Sequence, residues 1–314
     1  MKSISIIVPV YNEAENIASL HQEIVGICQN IGAKFELIFI DDGSSDQTAR
    51  VIKSLHPVKL IRLRKNFGQT AALDAGFRLA KYDYIITMDG DGQNDPADIP
   101  RLVSHLEEHE LDIVSGWREN RKDTMSKRII SRGANFLRGI LIHDGIHDSG
   151  CTLKIYTRES VAELSLFGEM HRFIPALLKI RGFNVGELVV NHRHRQSGKS
   201  KYKFTRTFKG FLDLVSVWFW KKYAVRPLHL LGSGGIFFLV AGFTSGIFTI
   251  IEYLKGQSMS DSALPVLTAF LLVTGIQLFI SGLMADMISR IYYKKFDNHS
   301  YYIHEIFDSV NKIN

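Results

Sequence analysis

Short runs of β-branched and aromatic residues alternate with longer amphipathic stretches in the first part of the chain. The runs that predict strands are Ser3–Val10, Phe35–Ile40, Val58–Leu63, Tyr84–Met88 and Asp112–Ser115. The stretches that predict helices are Ala14–Asn30, Gln47–Ser54, Gln69–Ala80 and Ala97–His109. Alternation at this spacing is typical of a mostly parallel sheet with helices on both faces. The pattern therefore predicts an α/β fold whose ligands bind beyond the carboxyl ends of the strands.

The hydrophobic pattern changes in the second part of the chain. His229–Ile251 and Ser262–Ala285 are runs of 23 and 24 residues without a formal charge when His is neutral. Each is long enough to cross a hydrocarbon core of about 30 Å as a helix. Buried helices of a soluble domain are the alternative, but both runs are rich in glycine, which membrane helices use for close packing. We predict a transmembrane hairpin over residues 227–290, followed by a C-terminal tail, 291–314.

Lysine and arginine flank this hairpin on both outer sides, whereas the connector Glu252–Asp261 carries one lysine and two acids. The positive-inside bias places both outer ends in the cytoplasm. We therefore expect a multi-pass protein of the inner (cytoplasmic) membrane with its large N-terminal part in the cytoplasm.

The net charge of the 314 residues is +6, and it is concentrated in one segment. Asn191–Arg226 contains ten Lys or Arg and one acid. Such charge attracts phosphate or an anionic membrane surface. Within it, the region 204–226 is predicted to form an interfacial amphipathic helix, with an ordinary surface helix as the alternative. Nucleic acid is not expected as a partner, because no nucleic-acid module is recognisable.

Composition excludes two other classes of protein. Only two cysteines are present, which excludes a disulfide scaffold and a cysteine-rich zinc site, and we expect both thiols to be reduced and buried. A hydrophobic content of 46% excludes a disordered chain.

Acidic and polar clusters follow three of the predicted strands. Asp89-Gly90-Asp91 follows the fourth, Asp41–Asp46 follows the second, and Pro9–Glu13 follows the first. Two carboxylates flanking a glycine can share a hard divalent cation with a diphosphate, although such a turn in isolation is more often merely solvated. The three clusters together predict a nucleoside diphosphate site. The absence of a GxGxxG motif after the first strand argues against a dinucleotide domain.

Several motifs in order resemble family 2 glycosyltransferases of the GT-A fold: VPVYNEAENI, IDDGSSD, RLRKNFGQTAALDAGF and MDGDGQNDPADIPRL. Further motifs resemble the polyprenyl-phosphate group, with dolichol-phosphate mannose synthase and bactoprenol glucosyltransferases: SGWRENRKD, HDSGCTLKIY, GEMHRFIPALL and NHRHRQSGKSKY. The match runs from Ile4 to Tyr202 and implies a GT-A catalytic domain, Rossmann-like with a mixed, mostly parallel sheet, over residues 1–203. The QxxRW signature of processive synthases is absent, which disfavours polymer synthesis.

The resemblance assigns roles to the strand-end residues. It implies that Asp89, Asp91 and Gln93 bind Mg²⁺ or Mn²⁺. The residues that it implies bind the nucleotide are Pro9, Tyr11, Glu13, Asp41 and Asp42. Arg195 and Lys199 lie in the basic segment Arg193–Lys203, which we expect to clamp a phosphate, with attraction to anionic lipid headgroups as the alternative. Gly90 and Gly92 replace the commoner Ala and Leu, which leaves the ligands intact.

Arginines after the fifth strand suit a phosphate acceptor, because the guanidinium binds phosphate in a bidentate manner. Among Arg118, Arg121, Arg128 and Arg132, we prefer Arg118, which lies nearest the strand end; a solvated basic face is the alternative. Asp148 matches a family acid near the reaction centre. Three roles remain open for it: orienting the acceptor or the arginines, acting as the general base, and forming a structural turn. A metal role is not expected for His143, His147, His192 or His194, because phosphate-bound hard cations prefer oxygen.

The resemblance implies an inverting transfer of one sugar from a nucleotide sugar to undecaprenyl or another polyprenyl phosphate. Glucose from UDP-glucose is the preferred donor. The alternatives are a GDP-mannose-dependent enzyme like dolichol-phosphate mannose synthase, an amino-sugar transferase, and a membrane scaffold without activity. Formation of a homo-oligomer is an open possibility at this point.

Overall fold

The structure is a computed structural model of the full chain. The residues that it describes are 3–119, 145–162, 164, 166, 168–193, 215, 218, 219, 223, 227–256, 258, 262–294 and 303–308. At 289–294 and 303–308 it describes the backbone alone.

A mixed eight-stranded sheet dominates the described part of the chain. The strands are β1 (Ile4–Val10), β2 (Phe35–Asp41), β3 (Lys59–Leu63), β4 (Tyr84–Thr87), β5 (Ile113–Trp117), β6 (Lys154–Thr157), β7 (Val185–Val189) and β8 (Ile303–Asp308). Their order is β7-β5-β6-β4-β1-β2-β3-β8. The pairs β1–β2, β1–β4, β2–β3 and β5–β7 are parallel, whereas β6 and β8 run antiparallel to their neighbours. The carboxyl ends of the six other strands therefore meet at one edge, and the GT-A-like mixed α/β fold is confirmed.

Helices connect the strands and cover the sheet. Those of the sheet region are α1 (Ala14–Asn30), α2 (Thr48–Lys53), α3 (Gln69–Leu79), α4 (Ile99–Glu108), α5 (Arg158–Ala162) and α6 (Ile174–Ile180). Short 3₁₀ turns at Pro96–Asp98 and Met170–Phe173 precede α4 and α6. The first four helices and first five strands lie within about two residues of their predicted bounds, because periodicity is strongest there.

Alternating side chains of the central strands fill two apolar cores, one on each face. Ile6 and Val8 of β1 pack with α1 on one face, whereas Ile7 of the same strand packs with α3 on the other. All three are fully buried. Strands buried on both faces need continuous apolar runs, and the sequence of β1 supplies one.

Two long apolar helices, α7 (Leu228–Leu254) and α8 (Leu264–Lys294), form the predicted hairpin. Each has the length and hydropathy of a membrane span, and their large side chains are mostly exposed, as at Phe237 and Phe270. Glycines line their contact: a Cβ added at Gly235 would lie 2.8 Å from the carbonyl oxygen of Gly275. The hydroxyl of Thr268 also binds that of Ser245 at 2.8 Å.

The chain divides into two compact units, Trp218–Asn298 and the remainder. Residues 303–308, which the sequence places in the C-terminal tail, form β8 beside β3 in the sheet. The polypeptide therefore leaves the sheet unit, forms the helical hairpin and returns to the sheet. The predicted interfacial helix over 204–226 lies outside the described residues, apart from a few isolated helical positions.

Candidate active site

The loops after β1 and β2 are hydrogen-bonded to each other. Asn12, in a left-handed conformation with φ 56°, donates its backbone N–H to the Ser44 hydroxyl at 2.9 Å. Its side-chain oxygen accepts from the Ser45 N–H, also at 2.9 Å. The Glu13 N–H donates to the Thr48 hydroxyl at 3.0 Å. These contacts fix the Pro9–Glu13 loop, whose first two residues still belong to β1, against the Asp41–Asp46 turn, whose first residue ends β2. The loop carries the predicted nucleotide residues Pro9, Tyr11 and Glu13.

Asp41 and Asp42 are buried and shape this turn. Asp41 accepts from the Ser44 N–H at 2.8 Å and forms an ion pair with Arg62 at 3.2 Å. Asp42 accepts from the N–H groups of Phe67 and Gly68 at 2.7 and 2.9 Å, just before α3. Burial raises the pKa of Asp42, while these two hydrogen bonds act in the opposite direction. The two carboxylates hold the loops after β2 and β3 together, and their contact with a nucleotide stays a prediction.

Gly43 between these loops has no room for a side chain. Its φ is +71°, and an added Cβ would lie 2.5 Å from the Lys65 carbonyl carbon. A residue other than glycine would therefore force the two loops apart.

The Asp89-Gly90-Asp91 turn follows β4. One oxygen of Asp89 accepts from the Gln69 side-chain amide at 2.8 Å, and the other accepts from the Thr152 hydroxyl. The Asp89 N–H donates to the Asn94 side chain at 2.7 Å. Asp91 accepts from the Gln93 N–H at 3.1 Å. The orientation of Asp89 is thus set by side chains of α3 and of the segment before β6.

The oxygen ligands at this turn fit a hard divalent cation. Carboxylates of Asp89 and Asp91 and the amide oxygen of Gln93 are of the type that Mg²⁺ and Mn²⁺ accept. The described residues contain no group of three or more His, Cys, Asp or Glu arranged for a metal.

Arg118 and Asp148 form a bidentate ion pair beside this turn. Arg118 follows β5, and its Nε and Nη2 donate to the two Asp148 oxygens at 2.7 and 3.1 Å. Their side chains are only 10% and 15% exposed. Burial acts to lower the pKa of Arg118, but the hydrogen bonds and charge of Asp148 outweigh it, so the pKa is raised. The pair is a fixed, charged feature at the same sheet edge as Asp89.

Lys154 of β6 lies buried behind these groups. Its ammonium donates to the Cys151 carbonyl oxygen, and burial lowers its pKa. Cys151 and Cys28 are free thiols that are both buried, as expected, and burial raises the pKa of each. Lys154 thus fastens the segment that supplies Asp148 and Thr152.

The basic segment begins against the acidic turn. The Arg193 N–H donates to the Gln93 carbonyl oxygen at 2.9 Å, and a β-bridge joins Asn94 to His192. Arg193 also forms ion pairs with Glu23 at 2.5 Å and Asp95 at 2.7 Å. Several predicted residues of the neighbourhood lie outside the described residues: Arg195, Lys199, Arg121, Arg128, Arg132, His143 and His194.

Sequence reasoning missed three residues that orient the predicted acids, namely Gln69, Thr152 and Glu187. Gln69 and Thr152 lie inside two of the motifs that resemble the family, but the resemblance was used to assign them no role. Glu187 lies in none of those motifs, and it accepts from backbone N–H groups of His147 and Asp148.

Comparison with known proteins defines the family. Residues 5–165 match the model of Glycosyl transferase family 2, and residues 226–291 match that of the GtrB C-terminal hairpin. The dodecaprenyl-phosphate galacturonate synthase of Rhizobium johnstonii is 39% identical over 319 aligned positions, which cover 97% of this chain and 93% of the relative. The chain belongs to glycosyltransferase family 2, and it is a membrane protein.

Solved structures support the same fold. Glucosyl-3-phosphoglycerate synthase from Mycobacterium tuberculosis, in a complex with Mn²⁺, UDP and glucosyl-3-phosphoglycerate, has a TM-score of 0.55 at 16% identity, covering 70% of this chain and 80% of that one. Mannosyl-3-phosphoglycerate synthase from Rubrobacter xylanophilus also gives 0.55 at 16% identity, covering 68% and 73%. At such identities the likeness establishes the fold alone.

Proposed function

We propose that the chain transfers one sugar from a nucleotide sugar to a polyprenyl phosphate at the cytoplasmic face of the inner membrane. The observation that carries the proposal is the hydrogen bond from Thr152 to Asp89. It joins the strand-end turn of the donor side to the segment that carries Asp148, the ion-pair partner of Arg118. The named activity of the 39% identical relative supports the acceptor class, and the long apolar helices suit an acceptor that stays in the bilayer.

On the donor side, the Pro9–Glu13 loop and the Asp41–Asp46 turn hold the nucleoside, with Asp41 and Asp42 building the turn. Asp89, Asp91 and Gln93 would hold Mg²⁺ or Mn²⁺. A cation held there would supply positive charge toward the leaving diphosphate. Arg195 and Lys199 are proposed to bind phosphate from the basic segment, whose start at Arg193 adjoins Gln93.

On the acceptor side, Arg118 positions the lipid phosphate. Inversion follows from one in-line displacement: an acceptor phosphate oxygen bonds to the anomeric carbon as the bond from that carbon to the nucleotide diphosphate breaks. A phosphate monoester has a second pKa of about 6, so near neutral pH it is mostly deprotonated. A general base is then not required, and the bidentate pair favours an orienting role for Asp148 over base chemistry.

The identity of the transferred sugar is what the following experiment determines. UDP-glucose is the prediction from sequence, whereas the Rhizobium relative is named for galacturonate. The test incubates the purified full-length chain and undecaprenyl phosphate with UDP-glucose, UDP-galacturonate, UDP-N-acetylglucosamine or GDP-mannose and weighs the lipid product. We expect one donor to yield a lipid-phosphate monosaccharide. Product from no donor, with the protein folded and the metal present, would favour a scaffold without activity.

A further inference from the structure

Glu187 holds the loop that carries Asp148. It lies on β7, which pairs with β5, so that Glu187 is in register with Ser115. Its carboxylate accepts from the His147 N–H at 3.0 and 3.1 Å and from the Asp148 N–H at 3.0 Å. A carboxylate that accepts backbone N–H groups makes strong, charge-assisted hydrogen bonds. The backbone at Asp148 is therefore fixed directly by a side chain of a strand.

The His147 ring adds a second contact to the same carboxylate. Its Nδ1 lies 2.7 Å from Glu187, while the Glu187 side chain is 10% exposed and that of His147 is 66% exposed. The ring also stacks on Trp117 at a centroid distance of 4.5 Å. Two different links thus join Glu187 to this loop: one to the backbone N–H groups, which is part-buried at Asp148, and an exposed one to the ring.

Asp148 passes the constraint to Arg118. Both Asp148 oxygens are engaged with the guanidinium, so the position of the Asp148 backbone sets the direction of the Arg118 fork. We propose that Glu187 is a positioning residue for the acceptor phosphate, acting through Asp148 on Arg118. The inference rests on the proposed function, in which Arg118 binds the lipid phosphate.

The first experiment separates the two links of Glu187. In the purified full-length chain, KM is measured for undecaprenyl phosphate and for whichever nucleotide sugar the wild type uses, and UDP affinity with Mn²⁺ is measured by calorimetry. Glu187→Ala should raise the lipid-phosphate KM by about tenfold, the worth of one charge-assisted hydrogen bond. Donor KM and UDP affinity should stay within about twofold, since no donor-side residue is touched.

Two matched variants identify which link matters. Glu187→Gln keeps an oxygen that accepts both N–H groups but loses the charge, so its lipid-phosphate KM should lie between those of the wild type and Glu187→Ala. His147→Ala removes the ring and keeps the backbone N–H, so it should also be near wild type. If Glu187→Ala does not fold, Glu187→Asp takes its place, because it keeps the charge but is too short to reach the loop. Its lipid-phosphate KM should rise as expected for Glu187→Ala. Equal rises in Glu187→Ala and His147→Ala would overturn the backbone link.

A double-mutant cycle tests the route through Arg118. Arg118→Ala should raise the lipid-phosphate KM, and adding Glu187→Ala should change it by less than about twofold, because both act through one guanidinium. Independent, multiplicative effects would overturn the inference. If Arg118→Ala raises this KM and Glu187→Ala does not, Glu187 does not position the acceptor phosphate, whereas the proposed binding of that phosphate by Arg118 is supported. If Arg118→Ala leaves it unchanged, the proposed acceptor site fails, and the inference fails with it.

Discussion

The sheet unit and the helical hairpin bury opposite kinds of side chain. Large aliphatic residues such as Ile6 and Ile38 are fully buried in the sheet unit. In the first helix of the hairpin, α7, the buried positions are Gly232, Gly235, Gly242 and Ser245, whereas Phe237 is 68% exposed. Water drives apolar groups together in the first case. Lipid provides no such force, so close backbone approach and hydroxyl pairs hold the two helices together.

Burial therefore has a different energetic meaning in each unit. A buried polar group of the sheet unit costs free energy unless it is paired, and the buried acids at the strand ends are paired with backbone N–H groups or arginine. An exposed phenylalanine in the hairpin costs nothing where its solvent is apolar. Each of the following changes tests one side of this contrast.

The largest effect is expected at the polar edge of the sheet unit, where a change should affect activity without stability. Asp91→Asn keeps the shape of the side chain but removes the charge proposed to hold the cation, so transfer should fall by at least about 100-fold. Chelation by EDTA should abolish wild-type transfer, and Mn²⁺ or Mg²⁺ should restore it. The melting temperature should stay near the wild-type value. Full transfer in excess chelator would contradict the metal assignment.

A matched pair of truncations compares the two kinds of apolar residue. Ile38→Ala removes a fully buried side chain from β2 and should lower stability by about 2–5 kcal/mol. Phe237→Ala removes a larger but exposed side chain and should change it by less than about 0.5 kcal/mol. Thermal melting of the full chain in one detergent measures both. Equal losses would show that Phe237 is packed rather than exposed to lipid.

Adjacent glycines of α7 provide a sharper contrast within the hairpin. A Cβ at Gly235 would lie 2.8 Å from the Gly275 oxygen and 2.9 Å from the Phe279 nitrogen, both backbone atoms, whereas one at Gly234 would lie 4.0 Å from Leu278. Gly235→Ala should therefore destabilise the hairpin by about 1–3 kcal/mol. Gly234→Ala should be neutral or slightly stabilising, because alanine favours a helix. Disulfide crosslinking between one cysteine introduced into α7 and one introduced into α8 should weaken in the first variant alone.

The smallest expected effect is a pH dependence in the sheet unit. His21 is buried on α1 near the Pro57 carbonyl oxygen at 3.1 Å, and burial lowers its pKa below 6.5 despite that contact. The unfolded chain then binds a proton more readily than the folded one, so stability should fall as the pH drops below about 6.5. Melting temperatures between pH 7.5 and 5.5 should decline less steeply for His21→Gln. Parallel slopes would contradict the assignment to His21.

Strong periodicity made the first five strands predictable, but it did not reveal the last three. β6 is four residues long, contains the charged Lys154 and inserts antiparallel between β4 and β5. β7 contains a glycine and a glutamate, so it lacks an apolar run. β8 pairs with a strand more than two hundred residues earlier, and no local pattern encodes such a partner.

The same distinction holds for the site. The motifs predicted Asp89, Arg118 and Asp148 as site residues, and the structure brings them to one sheet edge. The orienting residues Gln69 and Thr152 lie 20 and 63 positions from Asp89 along the chain. Both residues lie inside quoted motifs, but a motif does not say which distant side chain a glutamine or threonine contacts, so the fold is needed to reveal the partner.

The position of β8 has a consequence for how the protein is made. The ribosome delivers residues 303–308 after both long helices, and proteins generally begin to fold from the N-terminus during synthesis. The edge of β3 that β8 covers therefore has no partner from this strand until the hairpin has been synthesised. An exposed strand edge invites pairing with other chains. Completion of the sheet thus comes after synthesis of the membrane anchor, and a chain truncated before residue 303 retains an uncovered β3 edge.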